Sequence, residues 1–581
     1  MNDDVKKERL KSFMDKGYLL SPEVFHLNEF KNEFLNFMNT RIISKEKPLV
    51  IGGDLYDSVS KKAVSGVNWL EFEKSKVLHE KGKTKRLYLS FLELITGEEK
   101  KEEISTVIEP VTEKKKIINS TDIEQPVVVK ETSEIETPPK TIEVESKNTV
   151  QELVVSDPED KYPMKLVKNF AEDAKMRQVK DFVFHYKSRY EKIKNMIAGR
   201  QEMQNVISIK RAYGKDKGES VALMGLVYEK RITKKGNLMI KLEDPSGTIN
   251  VIFGPKIQES SAICLDELIG VVGTTSEGFM FATDLIYPDI PENKKVKTYG
   301  EDVCAAFISD VHVGSNMFIE DRFLKFIDWL NGEHEDPNMV ELSKKVKFLF
   351  VVGDVVDGVG IYPDQDKELT IPSIRGQYDR CAELFGMIRK DIKIILCPGN
   401  HDARRIAEPQ PALDHYAESL KSISNMTLVS NPATINVLSN ENFEGFNILM
   451  YHGYSYDYYA ANIESIAQEG GYDRGDLIMK YLLKKRHLAP VHTSTLFVPT
   501  PEDDHLIIDQ VPDIFASGHI HKSSISKYRG VTNFVSSCWQ HKTEFQERVG
   551  HHPEYCMVPI FNFKTGDSSM LDFSGGLNNE S

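Results

Sequence analysis

The sequence predicts an α/β protein in which a helical module and a small β-barrel precede a larger domain built on buried strands. Three observations lead to this prediction. Phenylalanines recur at helical spacing near the N-terminus, apolar and polar residues alternate between about residues 203 and 290, and five apolar runs of strand length follow residue 300. At 581 residues the chain is too long for a single core, so several domains are expected.

Composition limits the functional classes. The net charge of −14 argues against coating of nucleic acid by the whole surface, although a local basic patch could still bind it. No apolar run reaches the roughly 18 residues of a membrane span, and the N-terminus lacks the apolar core of a signal peptide. A cytoplasmic protein without a membrane partner is expected. The six scattered cysteines form no CxxC pair, which argues against a zinc ribbon or a disulfide framework.

Residues 1–95 are predicted to form a small helical accessory or partner-binding module. Phe30, Phe34 and Phe37 lie at helical spacing, and Ser21 with Pro22 is typical of a helix start. A plain helical extension without a role of its own is the alternative. Residues 96–160 are rich in Glu, Lys, Thr, Ser and Pro and nearly lack aromatic residues, which predicts a disordered linker.

Residues 161–295 are predicted to form a helix followed by a barrel of the oligonucleotide-binding (OB) type. Alternating apolar residues indicate two strands, and the turn from Asp244 to Gly247 leads into a third. Between Lys210 and Lys241 nine Lys or Arg residues stand against three acidic ones. The candidate nucleic-acid-binding residues are Lys210, Arg211, Lys230, Arg231, Lys234 and Lys235. A solvated charged face is the alternative.

Residues 296–575 carry the chemistry. Each of the five apolar runs ends in a short loop of metal-ligand residues: CAAFI before Ser309-Asp310-Val311-His312, KFLFVV before Gly353-Asp354-Val355-Val356-Asp357, IKIIL before Cys397-Pro398-Gly399-Asn400-His401-Asp402, FNILMY before His452-Gly453, and DIFAS before Gly518-His519-Ile520-His521. The carboxyl ends of buried strands are where open α/β sheets place active sites. Phe323, Phe326, Ile327 and Leu330 between the first two runs predict a covering helix.

The types of ligand predict a pair of metal ions. Asp, His and Asn side chains without thiolates suit Mn²⁺, Fe or Zn²⁺, and they are too many for one ion. Mn²⁺ is the expected ion, with Fe, Zn²⁺ and Mg²⁺ as alternatives. Such pairs serve phosphatases and nucleases, and a carboxylate must bridge them, for which Asp354 is the natural candidate.

The order DxH, GDxxD, GNHD, His-Gly and GHxH resembles that of the calcineurin-like metallophosphoesterases over residues 300–565. The resemblance implies a four-layer α/β sandwich. It also implies that one ion is held by Asp310, His312, Asp354 and His521, and the other by Asp354, Asn400, His452 and His519. His401 would contact the scissile phosphate and protonate the leaving oxygen, with Asp402 behind it as its orienter.

The segments PGNHDARRIAEPQPAL, YHGYSYD and WQHKTEFQERVGHHPEYCMVPIFNF resemble the small subunit of archaeal family D DNA polymerases. This resemblance implies a metal-dependent 3′→5′ exonuclease for single-stranded or mismatched DNA ends. It further implies a large catalytic subunit as partner in a heterodimer or heterotetramer, and a sliding clamp reached through that complex. The pair Tyr458-Tyr459 departs from the family pattern, in which a second acid near Asp457 is expected.

Two other functions remain open at the level of the sequence. A free-standing metallophosphatase or phosphodiesterase would use the same ligands. An inactive scaffold, as in the B subunits of eukaryotic replicative polymerases, would have lost some of them. The filled ligand positions argue against the scaffold, and the barrel argues against the free-standing enzyme.

Overall fold

The computed structural model describes residues 160–171, 176–500, 503–548 and 550–579, and a short parallel pair, β1 (Leu19–Leu20) with β2 (Val50–Ile51). The predicted helices of residues 1–95 and the predicted linker lie outside the described residues. The chain divides into two compact units, Met1–Thr141 and Ile142–Ser581, and every predicted site residue lies in the second. In the described ranges no helix is both long and apolar enough to cross a lipid bilayer.

A strand, a long helix and a short helix precede the barrel: β3 (Met164–Asn169), α1 (Val179–Ala198) and α2 (Ile209–Ala212). The carboxyl-terminal half of α1 packs Tyr190, Ile193 and Ile197 against one outer side of the barrel. Arg189 on the same helix is buried, and its Nε lies 2.6 Å from Asp504 Oδ2. Because a buried ion pair tolerates only one geometry, this contact fixes α1 to the C-terminal domain.

The barrel confirms the OB-type prediction. It is a closed, five-stranded sheet whose spatial order is β4-β5-β6-β8-β7. The strands are β4 (Ser220–Ile232), β5 (Leu238–Asp244), β6 (Gly247–Phe253), β7 (Leu268–Ser276) and β8 (Phe279–Ile286). The alternating residues all point into its core: Val221, Leu223, Val227, Leu238, Ile240 and Leu242. The Asp244 carboxylate accepts from the backbone N–H of Ser246 and Gly247, which closes the predicted turn.

Two six-stranded sheets form the C-terminal domain. The first has the spatial order β12 (Met426–Leu428), β11 (Lys393–Cys397), β10 (Val346–Val352), β9 (Cys304–Ile308), β18 (Met557–Asn562) and β19 (Ser568–Asp572). The second has the order β16 (Ser524–Tyr528), β17 (Val531–Val535), β15 (Ile514–Ser517), β14 (Phe446–Met450), β13 (Ala433–Val437) and β3. One apolar core, including Phe307 and Phe350 of the first sheet and Ile448 and Ile514 of the second, joins their facing sides.

Helices cover the two outer sides and complete the predicted four layers. They are α3 (Glu320–Leu330), α4 (Pro337–Lys345), α5 (Ile374–Gly386), α6 (Glu418–Lys421), α7 (Tyr456–Asn462), α8 (Glu464–Ala467), α9 (Gly475–Lys485) and α10 (Glu544–Arg548). The four residues predicted as the buried stripe of α3 pack on the first sheet. Ile478 and Leu482 of α9 pack on the second sheet. Because β9, β10 and β11 are parallel and covered on both sides, their sequences are continuous apolar runs.

β3 corrects the predicted domain boundary. The sequence pattern places residues 164–169 in the helix-and-barrel domain, but β3 pairs antiparallel with β13, with Met164 opposite Val437 and Asn169 opposite Ala433. The barrel is therefore inserted between two strands of the C-terminal sandwich. Strand pairing of this kind depends on tertiary contacts between distant segments, which local sequence patterns do not record.

Candidate active site

The predicted ligands meet where the carboxyl ends of parallel strands from both sheets come together. The loops after β9, β10 and β11 supply the Asp, Asn and His residues of the first sheet, and the loops after β14 and β15 supply the histidines of the second. Ligand atoms of Asp310, His312 and His521 lie within 4.8 Å of one another, and so do those of Asp354, His452 and His519. The structure thus brings together two adjacent clusters predicted as metal ligands.

The first cluster has the geometry of a cation site. The Nε2 atoms of His312 and His521 lie 3.2 Å apart, and Asp310 Oδ1 lies 3.3 Å from His521 Nε2. Among the described residues the buried Asp310 Oδ1 makes no hydrogen bond of good geometry, and its nearest nitrogen is His521 Nε2. Two imidazole nitrogens and an unsatisfied carboxylate oxygen facing one point fit a divalent ion, because a buried carboxylate without a partner is otherwise costly.

The second cluster orients its histidine through the backbone. His452 Nδ1 lies 2.9 Å from the carbonyl oxygen of Val352, so this nitrogen carries the proton and donates it. The other nitrogen, Nε2, faces Asp354 Oδ2 at 3.2 Å and Asn400 Oδ1 at 3.0 Å, which accept its proton when no ion is bound, and it would give up that proton to hold a metal. Fixing the tautomer of a ligand histidine in this way prepares it for a metal.

Asp310 links the two clusters. Its Oδ2 accepts a hydrogen bond of 2.9 Å from the backbone N–H of His519, a member of the second cluster. Burial opposes ionisation of this carboxyl group, but the neighbouring His521 outweighs it and holds the pKa of Asp310 at about 2. In the second cluster the charge of Asp354 outweighs burial and raises the pKa of His452 to about 10. Both shifts show a negative site that attracts positive charge.

The ligand loops turn sharply. Five ligand residues have left-handed backbone conformations: Asp310 (φ 51°), His312 (φ 54°), Asp354 (φ 50°), His519 (φ 72°) and His521 (φ 51°). Such conformations cost on the order of 1–3 kcal/mol each for residues other than glycine, and they persist where a functional geometry depends on them. Here they aim successive side chains of one loop at the same point.

Two motif glycines make room for the carboxylates. A Cβ atom at Gly399 would lie 2.2 Å from Asp354 Oδ1, and one at Gly518 would lie 2.5 Å from Asp310 Oδ2. Both distances are shorter than any real contact to a Cβ atom. The glycines of GNHD and GHxH are therefore required because the ligand carboxylates approach the backbone at these positions.

His401 lies beside the clusters with one nitrogen fixed. Its Nδ1 lies 2.7 Å from the carbonyl oxygen of Asp357, so Nδ1–H donates to that oxygen and Nε2 is the nitrogen left to exchange a proton. Burial lowers the pKa of this imidazole from its ordinary value. The ring is half-buried and packs edge-on against His312 at 4.7 Å between centroids.

The structure corrects the role predicted for Asp402. Its carboxylate does not orient the His401 ring; it accepts from the backbone N–H of Gly399 at 2.8 Å and from the Tyr378 hydroxyl at 3.1 Å. Burial and the nearby Asp354 raise the pKa of Asp402 to about 7. Asp402 therefore holds the GNHD loop in shape, and the orienting acceptor for His401 is the backbone of Asp357.

Asp357 is a site residue to which the sequence motif alone gives no role. Its Oδ1 lies 3.2 Å from His312 Nδ1, the nitrogen opposite the one that faces the first cluster. Gln365 and Gln540 each donate to this carboxylate through Nε2 at 2.8 Å. Two features of the sequence could have indicated this role: the second acid of GDxxD, which is Asp357, and the glutamine of the WQ segment, which is Gln540.

Other side chains brace the remaining ligands. Gln410 of the EPQP segment donates to the carbonyl oxygen of Gly399 at 2.9 Å and accepts from Asn431 at 2.7 Å. Asn431 in turn accepts from the backbone N–H of His452 at 2.9 Å. His519 Nε2 lies 3.2 Å from Asp457 Oδ1, so the acid of YHGYSYD does reach the site.

Tyr458 and Tyr459, which depart from the family pattern, lie on α7 directly after Asp457. The hydroxyl of Tyr459 is buried and donates to Ser494 Oγ at 3.0 Å. The Tyr459 side chain thus packs in the apolar core beneath α7.

The predicted nucleic-acid-binding residues belong to the barrel and not to the metal clusters. All six are exposed: Lys210, Arg211, Lys230, Arg231, Lys234 and Lys235. The Lys230 ammonium also donates to the carbonyl oxygens of Ser261 at 3.2 Å and Ile263 at 2.6 Å.

The chain is similar in sequence to known proteins. Residues 305–523 match the family model described as calcineurin-like phosphoesterase. A DNA polymerase II small subunit from Methanothermobacter thermautotrophicus is 40% identical over 402 residues, covering 68% of this chain and 80% of that protein. Those of Halobacterium salinarum (36% identical over 402 residues; 68% and 75% covered) and Archaeoglobus fulgidus (37% over 399 residues; 68% and 78%) are similar. The chain therefore belongs to the small subunits of archaeal family D DNA polymerases, those named DNA polymerase II small subunit, with a calcineurin-like phosphoesterase domain.

Proposed function

We propose that this chain is the 3′→5′ exonuclease subunit of a replicative family D DNA polymerase. It would remove nucleotides from single-stranded or mismatched 3′ ends and work beside a large polymerase subunit, for which it is also a scaffold. The observation that carries the proposal is the convergence of Asp310, His312 and His521 on one point, with a buried carboxylate oxygen that makes no well-formed hydrogen bond among the described residues. An inactive scaffold has no use for such a site.

The residues present fit a pair of divalent ions, with Mn²⁺ as the proposed metal. Asp310, His312 and His521 would hold the first ion, Asn400, His452 and His519 the second, and Asp354 would bridge them. When bound, such a pair activates water and neutralises charge that develops on a phosphoryl group. The protein prepares for this with the left-handed ligand loops and the fixed tautomer of His452.

His401 is proposed as the general acid. The carbonyl of Asp357 holds its Nδ1–H, so only Nε2 is available to the substrate. A proton on Nε2 would pass to the 3′ oxygen that leaves when the terminal nucleotide is released. This role requires the ring to be protonated on both nitrogens, and the lower pKa that burial gives it reduces the protonated fraction but makes each proton easier to transfer.

Different observations support the proposed DNA substrate and the proposed protein partner. The matched relatives are named small subunits of a DNA polymerase, which supports a separate large catalytic subunit as partner and DNA as substrate. A sliding clamp would be reached through that complex. The OB-type barrel, joined to the catalytic domain by the buried Lys485–Glu267 ion pair of 2.5 Å, supports a nucleic-acid substrate over a small phosphomonoester.

The test uses the full chain, alone and with its large subunit, on a 5′-labelled oligonucleotide in Mn²⁺. Stepwise shortening from the 3′ end is expected, with little hydrolysis of a chromogenic phosphomonoester. His415→Ala, at an exposed histidine of the same domain, serves as the matched control for His401→Ala. Cleavage of the phosphomonoester but not of DNA would point to a free-standing phosphatase. Two bound ions without any hydrolysis would point to a scaffold.

A further inference from the structure

The loop after β10 presents two large apolar side chains to solvent beside the candidate active site. Val359 is 49% exposed and Ile361 is 36% exposed. Both belong to the loop of residues 357–365, which begins at Asp357, the residue whose carbonyl oxygen fixes the His401 ring. We call Val359 and Ile361 the apolar tip of this loop.

Two buried glutamines hold the loop in one shape. Gln377 Oε1 accepts from the backbone N–H of Gly358 at 2.9 Å, and its Nε2 donates to the carbonyl oxygen of the same residue at 3.0 Å. Gln365 does the same for its neighbours, since Oε1 accepts from the N–H of Ile361 at 2.8 Å and Nε2 donates to the carbonyl oxygen of Asp357 at 2.8 Å. The apolar tip therefore cannot turn into the core without leaving buried polar groups unpaired, which is costly.

The apolar tip lies against His401. A Cβ atom at Gly358 would lie 2.4 Å from the backbone oxygen of His401 and 2.9 Å from Ile361 Cγ1, so the loop packs directly on the GNHD segment. On the other side of the tip, the ring centre of Tyr362 lies 6.5 Å from that of His401. Because His401 is half-buried, its ring reaches the surface at the place where the tip is exposed.

The role proposed for His401 determines which part of a DNA end lies there. In the proposed reaction the bond between phosphorus and the 3′ oxygen breaks, water supplies the oxygen that replaces it on phosphorus, and the leaving oxygen takes a proton from His401. That oxygen stays on the penultimate nucleotide, which becomes the new 3′ end. The penultimate nucleotide must therefore lie beside His401, where it meets the apolar tip.

The charges of the loop favour a base over a phosphate as the contact. Asp364 and Asp366 follow the tip and are exposed, and the ammonium of Lys367 lies 2.7 Å from the Asp364 carboxylate. Exposed carboxylates repel phosphate groups. The apolar side chains of Val359 and Ile361 instead suit the flat, apolar face of a nucleobase.

We propose that the apolar tip packs against the base of the penultimate nucleotide of an unpaired 3′ end. In a paired end that base is held within the duplex, and bringing it out costs unpairing and unstacking energy. The tip thus determines specificity for unpaired ends. This inference rests on the proposed exonuclease function and on the role proposed for His401.

The first test makes the tip polar while keeping its shape. The variant with Val359→Thr and Ile361→Thr retains branching at both Cβ atoms. We would measure kcat/KM of the full chain in Mn²⁺ for an oligothymidylate and for methyl p-nitrophenyl phosphate, a diester without a base. The ratio of the two values should fall about 10-fold, as expected for the loss of a small apolar contact. The variant with Val359→Ile and Ile361→Val keeps the tip apolar and should restore the wild-type ratio.

Val296→Thr makes the same kind of change at a 66% exposed valine of the same domain and is the matched control. Its ratio should equal that of the wild type. If the threonine variant lost activity on both substrates equally, the tip would have only a structural role, and the proposal would be wrong.

The second test identifies the nucleotide that the tip contacts. Oligothymidylates are prepared with one abasic residue, either at the 3′-terminal or at the penultimate position. Removal of the penultimate base should lower kcat/KM of the wild-type protein about 10-fold and should have almost no further effect on the threonine variant, since the two changes remove the same contact. An equal loss in both proteins, or a loss that appears only at the terminal position, would overturn the proposal.

Two further outcomes separate this inference from the function on which it rests. If the wild-type protein cleaved no DNA, the exonuclease function would fail and the inference with it, whereas DNA cleavage with an unchanged ratio in the threonine variant would refute the inference alone. Weaker association of the threonine variant with the large subunit, with cleavage unchanged, would identify a protein contact and overturn the proposal as well.

Discussion

Replacing Asp357 with Asn tests whether this carboxylate sets the metal affinity of the first cluster. The change removes one charge and keeps the shape of the side chain. In the wild-type protein Asp357 Oδ1 lies 3.2 Å from His312 Nδ1, and the carboxylate accepts from Gln365 and Gln540 at 2.8 Å each. An asparagine side chain has one acceptor oxygen and one N–H₂ group, so its N–H₂ group must face one of these hydrogen-bond donors.

The glutamines cannot easily relieve that conflict. Gln365 Oε1 already accepts from the backbone N–H of Ile361 at 2.8 Å, and its Nε2 also donates to the backbone oxygen of Asp357 at 2.8 Å. Turning the Gln365 amide over would break both bonds. The asparagine can keep its oxygen toward His312 and Gln540, which both approach Oδ1, but its N–H₂ group then faces the N–H₂ group of Gln365, and the negative charge beside the His312 ring is lost in either orientation. We therefore expect the His312 ring to be held less firmly. Loss of such an outer partner of a ligand histidine costs about 10- to 100-fold in metal affinity or activity.

The assay is nuclease rate as a function of Mn²⁺ concentration, with metal content measured on the same preparation. Asp357→Asn should shift the half-saturating Mn²⁺ concentration upward by about 10- to 100-fold and leave much of the rate at saturating metal. Asp366→Asn, an exposed acid on the same loop, is the control. An unchanged Mn²⁺ dependence would refute the orienting role. Complete loss of one ion at any concentration would make Asp357 a ligand instead.

Four further changes probe the chemistry and the stability. Asp354→Ala should abolish hydrolysis, because the proposed bridge between the ions is removed; residual activity within about tenfold, at full metal content, would contradict bridging. His401→Ala should keep both ions but slow single-turnover cleavage by about 10² to 10⁴, and loss of an ion would make His401 a ligand. Arg189→Met should lower the free energy of unfolding in urea by about 3–5 kcal/mol, because it leaves the buried carboxylate of Asp504 without its cation; a loss below about 1 kcal/mol would show that water reaches Asp504. Burial and the charge of Arg189 lower the pKa of His487 from 6.5 to about 4, so below pH 6.5 the unfolded chain binds a proton that the folded chain does not. The free energy of unfolding should therefore fall by roughly 3 kcal/mol between pH 6.5 and pH 4 on account of this residue, and His487→Gln should flatten that part of the pH profile.

The sequence placed the predicted ligand loops at the ends of their strands, because the information for this is local. A parallel strand that is buried on both faces appears in the sequence as a continuous apolar run. The end of the run is recognisable because a glycine and a predicted metal-ligand residue follow it. At Gly399 and Gly518 the ligand carboxylate lies so close to the backbone that only glycine fits, so the glycine in the motif indicates the geometry of the loop. The same holds for the barrel, in which alternation along β4 and β5 identified the inward residues.

The role of Asp402 could not be predicted in the same way. Adjacency in sequence placed Asp402 behind His401, but the sharp turn of the GNHD loop directs its carboxylate to Gly399 and Tyr378. The direction of this side chain depends on a backbone turn that residue types do not specify.

By itself the sequence determined which residues lie at strand ends and which chemical groups they offer, because strand periodicity and ligand type are properties of short segments. Only the tertiary structure decided which groups face one another. It assigned Asp357 to His312, joined β3 to the second sheet across the inserted barrel, and set the apolar tip of the loop after β10 beside His401. These are contacts between segments far apart in the chain, fixed by the packing of the two sheets and by strand register, and no local pattern encodes them.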